Sequence, residues 1–244
     1  NHSFRLFISP NNGFIDEHIF LYGVYEPQIL DIIQKNLKRG DTFVDVGTNI
    51  GQHSMFAASI VGETGKIISF EPIESIHKQI LDSIKCNGFQ NFFEVYNLAL
   101  GEKEEAHKFH IDLKNMGGSS LVERGEGRRE VEVKVVRGDD LLLLNNKINL
   151  IKIDVEGYEY EAMIGMEKTI RKNSPTIILE FCDDSYKSRN TGNSEKIIDL
   201  LQNLKYTIYD IDDSMKKIES KETFLKSFDK NKKQTNILCV INNI

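Results

Sequence analysis

Four residues in the stretch DTFVDVGTNIGQHS could do chemistry together: Asp45, Gly47, Asn49 and Gly51 stand at every second position. Glu71 follows in IISFEP, twenty residues after Gly51. Glycines at the end of an apolar run, just before a helical pattern, leave backbone N–H groups facing whatever ligand sits above them. The usual dinucleotide loop reads G-x-G-x-x-G and cradles a pyrophosphate. Here the pattern is D-x-G-x-N-x-G, and a carboxylate at Asp45 would repel a pyrophosphate while suiting a cationic group. S-adenosylmethionine carries such a group beside a sulfonium, a ribose and an adenine. Glu71, at the end of the next strand, could accept hydrogen bonds from both ribose hydroxyls. The plain alternative is a structural glycine turn with two surface acids; the order strand, turn, helix, strand, acid favours the cofactor.

A second set of acids stands in INLIKIDVEGYEYEAMIGM, where an apolar strand ends in Asp154, with Glu156 and Glu159 just beyond. TIILEFCDDS repeats the design with Glu180, Asp183 and Asp184. Acids confined to the carboxyl end of a buried parallel strand lie over the same sheet edge as Asp45 and Glu71. Capping of a following helix accounts for Asp183 and Glu159. Asp154 and Glu156, with Glu180 in reserve, are the expected base or acceptor-orienting groups for a hydroxyl, which is a poor nucleophile while protonated. Asp154, Glu180 and Asp183 could instead hold a magnesium ion through hard oxygen ligands. His53, on the helix after the glycine turn, reads as packing or hydrogen bonding before it reads as a ligand. The remaining histidines show no zinc spacing.

Positioning these residues requires alternating strands and helices. Apolar β-rich runs fall at 42–46, 66–70, 92–100, 149–154, 176–181, 206–211 and 236–241, with helical spacing between them. The expected architecture is α/β, a Rossmann-like, seven-stranded, mainly parallel sheet flanked by helices. It forms one domain over 1–244: an N-terminal hairpin or cap over 1–25, a cofactor half over 26–100, a β-rich insert over 101–144 and an acceptor side over 145–244. Within the insert, AHKFHI and VEVKVV are the two expected extra strands.

Composition narrows the function further. A formal net charge of −6 opposes general nucleic-acid binding. Cys86, Cys182 and Cys239 form no disulfide framework and read as buried thiols, which points to a cytoplasmic protein. No apolar run approaches the roughly 18 residues of a membrane span. NHSFRLF lacks an initiator Met, so a preceding segment could be missing.

In order and spacing, FVDVGTNIGQHSMFAA, GKIISFEPIES, NLALGE, GGSSL and LIKIDVEGYEYEAMIGM resemble the FkbM-type S-adenosylmethionine-dependent methyltransferases. The resemblance runs from about Glu26 to Glu180. It implies a class I methyltransferase fold that O-methylates sugars, glycans or natural-product hydroxyls and releases S-adenosylhomocysteine. Carried over by motif, Asp45, Gly47, Thr48, Asn49, Gly51, Glu71 and Pro72 would hold the cofactor. Asn97, Leu98 and Ala99 would flank its adenine, and Asp154 would stand by its methionine end. Glu26, in YGVYEP, matches a position that reaches the cofactor, and Ser119 and Ser120 match the GGSSL motif. The acceptor would be a small molecule or glycan shaped by the part beyond Glu180, and its identity stays open, as does the oligomeric state. Rival readings are an RNA N-methyltransferase, opposed by the acidic balance and the missing N/D-P-P-[YF] motif, a non-catalytic binding module of the same fold, and a nicotinamide dehydrogenase.

Overall fold

The computed structural model describes residues 3–9, 13–112, 119–121, 129–144, 147–182, 193–228 and 234–241. Asp183 and Asp184, and Gly117 and Gly118 of the GGSSL motif, fall outside them.

The chain opens with helices α1 (Phe14–Tyr22) and α2 (Pro27–Asn36), then enters the sheet at β1 (Thr42–Val46). It continues through α3 (Gln52–Val61), β2 (Lys66–Phe70), α4 (Glu74–Asn87) and β3 (Phe93–Tyr96). β4 (Ala99–Leu100), β5 (Glu105–Ile111) and β6 (Arg129–Val136) form a separate three-stranded sheet in the order β4-β6-β5. The return path comprises α5 (Gly138–Leu142), β7 (Leu150–Ile153), α6 (Glu159–Gly165), α7 (Glu167–Asn173) and β8 (Thr176–Cys182). Last come α8 (Asn193–Asn203), β9 (Thr207–Asp210), β10 (Lys216–Lys217), α9 (Lys221–Lys226) and β11 (Gln234–Val240).

The large sheet runs β10-β9-β11-β8-β7-β1-β2-β3. The strands from β3 to β8 are parallel, and β11 is antiparallel to both its neighbours. Seven strands match the expectation, and the eighth is a two-residue edge piece. β1 is central, with β2 on one side and β7 on the other, so the chain switches direction at its carboxyl end. Ligands of open α/β sheets bind at that switch point.

Alternation along the strands sorts side chains into two cores. Val44, Val46, Ile151, Ile153, Ile177 and Leu179 face α5 to α9. Phe43, Leu150, Ile178 and Leu238 face α2, α3 and α4. Asp45, Lys152, Asp154, Glu180 and Asn236 lie on this second face by the same alternation, and all sit toward the carboxyl ends of β1, β7 and β8. The face is thus apolar at one end and polar at the other, where the site lies.

Four expectations need correction. The described residues of 1–25 form no hairpin: 3–9 have no regular structure and 14–22 are helical. Buried Asp16 explains the difference, because its Oδ1 accepts from the Ser9 amide (2.7 Å) and from Gln79 Nε2 on α4 (3.2 Å), pinning α1 to the core. The single strand expected at 92–100 breaks at Asn97, whose side-chain amide donates to the carbonyls of Glu71 and Pro72, both at 2.9 Å. Beyond that break, β4 joins the small sheet. The helical pattern from Tyr158 divides at Met166 into α6 and α7. Cys86 is exposed, whereas Cys182 and Cys239 are buried.

Candidate functional site

The glycine turn is built by backbone geometry. Gly47 has φ 82°, and a β-carbon there would lie 1.9 Å from the Asp154 carbonyl oxygen. Only glycine lets the first turn pass that close to the end of β7. The Gly47 and Thr48 amides donate to the Phe70 carbonyl at 3.0 and 3.1 Å, locking the turn onto β2. Asn49 adopts the left-handed region at φ 50°, as expected of asparagine, and its side-chain oxygen accepts from the Ile50 amide at 2.7 Å. Gly51 begins α3 with φ 87°. A β-carbon at Gly51 would meet Ile80 at an ordinary 3.5 Å, so its requirement is the backbone conformation and not close packing.

The acids are held by this frame. Asp45 is wholly buried, and its Oδ2 accepts from Ser54 Oγ (2.6 Å) and Thr48 Oγ1 (2.8 Å). Its Oδ1 is buried without a hydrogen-bond partner among the described residues. Burial raises its pKa against the opposing effects of Lys152, Ser54 and Thr48. Glu71 accepts the Asn49 amide on Oε2 (3.0 Å) and the Ile73 amide on Oε1 (2.9 Å). These two bonds fix the plane of its carboxylate, yet burial outweighs them and pushes its pKa up to about 7.

Gly47, Asn49, Glu71, Pro72, Leu98, Ala99 and Asp154 line one cleft, together with Val155 and Glu156. The cleft opens to solvent, and its empty space together with that opening is about 550 Å³. Phe70, Ile73, Ile76, Phe109 and Leu121 supply apolar walls, the last two from the insert region. Asp45, Thr48 and Gly51 support the turn from beneath, and Asn97 props the Glu71–Pro72 backbone.

Beyond Asp154 the arrangement changes. The loop after β7 places Glu156 at φ 57° and Gly157 at φ 101°. Ser120, fully buried, donates its hydroxyl to the Glu156 carbonyl at 2.7 Å, and Ser119 lines the cleft. Glu159 stands in the first turn of α6, where a negative charge suits the helix dipole, but it caps no α6 amide: its carboxylate accepts the Gly157 amide, ahead of the helix, at 2.6 Å. Carboxylate oxygens of Asp154, Glu156 and Glu180 come within 4.8 Å of one another. The magnesium set expected from the sequence therefore changes membership: Glu156 joins, and Asp183 lies outside the described residues. Glu180 sits beside Asp154 without lining the cleft.

Glu26 also does not line the cleft. It occupies the left-handed region at φ 48°, with Oε1 3.4 Å from Asn236 Nδ2 and Oε2 3.7 Å from His53 Nε2. Gln52 holds it there by pairing with both backbone groups of Tyr25, accepting from N at 2.8 Å and donating to O at 2.6 Å. Burial, helped by Asp154 and opposed by Lys152, raises the Glu26 pKa to about 7. Burial, and then Lys152, lowers that of His53 to about 3, so its ring is neutral.

Lys152 lies at the centre, 3% exposed, with Nζ 2.9 Å from Asp154 Oδ2. Burial alone would favour loss of its proton, but Asp154, Asp45 and Glu26 together outweigh it and keep the ammonium charged. Sequence reading passed over Lys152, Gln52, Tyr25 and Asn236. A lysine inside the apolar run NLIKID was the available signal for the first; the others carried none.

The FkbM methyltransferase domain model matches residues 45–208, from the acid of the glycine turn to the start of β9. The chain belongs to the FkbM methyltransferase family. It carries a class I methyltransferase domain that depends on S-adenosylmethionine. A protein-L-isoaspartate O-methyltransferase of Methanococcus aeolicus is 31% identical over 136 residues, covering 53% of this chain and 63% of the relative. The hexuronic acid methyltransferase AglP of Haloferax volcanii is 23% identical over 155 residues, covering 63% of this chain and 61% of the relative. The chain thus spans less than two thirds of either curated relative. The crystal structure of an FkbM methyltransferase from Methylobacillus flagellatus KT superposes with a TM-score of 0.52 at 16% identity, over 82% of this chain and 43% of that one, a likeness of fold. Among the described residues, no helix is long and apolar enough to cross a membrane.

Proposed function

We propose that this protein transfers the methyl group of S-adenosylmethionine to a hydroxyl of a sugar, glycan or natural product, with S-adenosylhomocysteine as product. The observation that carries the reading is the cleft itself, where the glycine turn and the fixed carboxylate of Glu71 share one lining with the carboxylates of Asp154 and Glu156. The residues fit the cofactor. Asp45, beneath the turn, has a buried carboxylate oxygen with no partner among the described residues, Gly47 and Asn49 line the cleft, and Glu71 presents a fixed carboxylate for ribose hydroxyls. Pro72, Leu98 and Ala99 form the wall for the adenine, and Asp154 borders the methionine end. The bound cofactor supplies an already activated methyl on its sulfonium.

The chain's own contribution is alignment, worth several kcal/mol of barrier when a bimolecular displacement becomes a placed one. Asp154 and Glu156 orient the acceptor hydroxyl and take its proton, with Glu180 as the neighbouring acid. Phe109 and Leu121 keep water from the cofactor side. The name of AglP, a hexuronic acid methyltransferase, supports a sugar acceptor.

The test is transfer of labelled methyl from S-adenosylmethionine to a panel of neutral glycosides, uronates, polyols and macrolide alcohols, with transfer RNA and an isoaspartyl peptide as rival acceptors. Label on a hydroxyl acceptor, lost in Asp154→Asn, supports the proposal. Label on RNA or on the peptide alone overturns it. A second reading gives Asp154, Glu156 and Glu180 a magnesium ion, for which their closeness speaks; turnover unchanged by EDTA removes it.

A further inference from the structure

Lys152 takes no part in the transfer just described, yet its place in the fold is unusual. It stands in register with Asp45 on the neighbouring strand and two residues before Asp154 on the same sheet face. The next residue inward on that face is Leu150, fully buried in the core. Taking an ammonium out of water costs several kcal/mol, and an apolar residue of like volume is often the more stable occupant of such a position. What the charge does there must be sought in its neighbours. Asp154 lies at hydrogen-bond distance, and Asp45 and Glu26 are near enough to act on it electrostatically. Neutral His53 packs at the same end. Without a cation among them, the three carboxylates would repel one another within a buried space.

We propose that Lys152 is a positioning residue: its ammonium grips one oxygen of Asp154 and separates Asp154, Asp45 and Glu26, so that Asp154 stands fixed beside the methionine end of the cofactor. It acts through Asp154, and the inference therefore rests on the cofactor-side role given to Asp154 above. The same grip would hold the other Asp154 oxygen toward the acceptor.

A double-mutant cycle on S-adenosylmethionine affinity, read by calorimetry, tests this without knowledge of the acceptor. Lys152→Met and Asp154→Asn should each weaken binding about tenfold, and the double variant should bind within about twofold of Asp154→Asn alone, since coupled groups do not add. Lys152→Arg should recover most of the loss, because it keeps the charge. Losses that multiply in the double variant, or an Arg variant as weak as Met, overturn the proposal and leave Lys152 a packing residue. Wild-type affinity in Asp154→Asn sinks the assignment of Asp154 itself, a separate failure that the single variant reports alone. Should Lys152→Met show no cooperative thermal transition, the cycle is run with Lys152→Gln and the same outcomes decide.

Discussion

The two ends of the cleft hold their acids by different means. At the glycine turn, Glu71 is fixed by backbone amides of Asn49 and Ile73, and the turn itself by amides reaching the Phe70 carbonyl. Around Lys152 the work passes to side chains: Glu26, Asn236 and the pair Lys152 and Asp154 come from three places along the chain and hold one another by charge and amide contacts. Backbone-held geometry survives the loss of a single side chain and fails when the backbone cannot adopt its path. A side-chain network fails in the opposite manner. Substitutions at the turn should therefore be graded by conformational demand.

Gly47→Ala carries the largest expected effect. The new β-carbon would fall on the Asp154 carbonyl, and the left-handed backbone adds strain. We expect a loss of about 3 kcal/mol or more in folding stability and more than about a hundredfold in S-adenosylmethionine affinity. Calorimetry and thermal melting report both, and near-native binding would refute the close approach of β1 and β7.

Glu71→Ala comes next. Two charged hydrogen bonds to ribose hydroxyls, each worth about 1.5–3 kcal/mol, would be lost, giving a weakening of about a hundredfold or more. The Asn49 and Ile73 amides would also lose their acceptor. Retained affinity would transfer ribose recognition to another residue.

Glu71 also predicts a pH dependence. Its pKa in the folded protein is raised to about 7 from an ordinary 4.5, so the folded state prefers the protonated form relative to the unfolded chain. The associated stability is fully present below about 4.5 and is lost as pH rises through about 7. Cofactor binding needs the ionised carboxylate and should therefore show the reverse trend, falling as pH drops below 7. Glu71→Gln should bind weakly but flatten that part of the profile. Titrations between pH 5.5 and 8.5 decide, and an unchanged slope in the variant would assign the dependence to Glu26, which titrates in the same range.

What could be read in advance follows the same division. Strands β1 and β2 have the boundaries their apolar runs announced, and Asp45, Gly47, Asn49 and Glu71 fell at the site because short-range spacing encodes a strand-turn-helix unit. The break at Asn97 escaped because Asn97 bonds to carbonyls 25 and 26 residues away. Helix α1 stands where a hairpin or cap was expected because Asp16 is held by Gln79, 63 residues on. Asn236 was missed for the same reason, since it meets Glu26 across 210 residues; Lys152 did carry a signal, a lysine inside an apolar run, but one whose meaning awaits the strand order that sets it beside Asp45.

Gly51→Ala carries the smallest expected effect and isolates the backbone component of the turn. An added β-carbon would touch Ile80 at ordinary distance, so no clash accompanies the left-handed φ of 87°. The cost is then about 1–2 kcal/mol of stability, the penalty for an L-residue in that region. Cofactor affinity should stay within about threefold, because the turn need not move. If Gly51→Ala instead abolishes binding as fully as Gly47→Ala, then conformation alone governs this loop and the close approach to Asp154 is incidental. A wide gap between the two glycines would show that a motif of like residues can contain two different physical requirements, one for a dihedral angle and one for empty space.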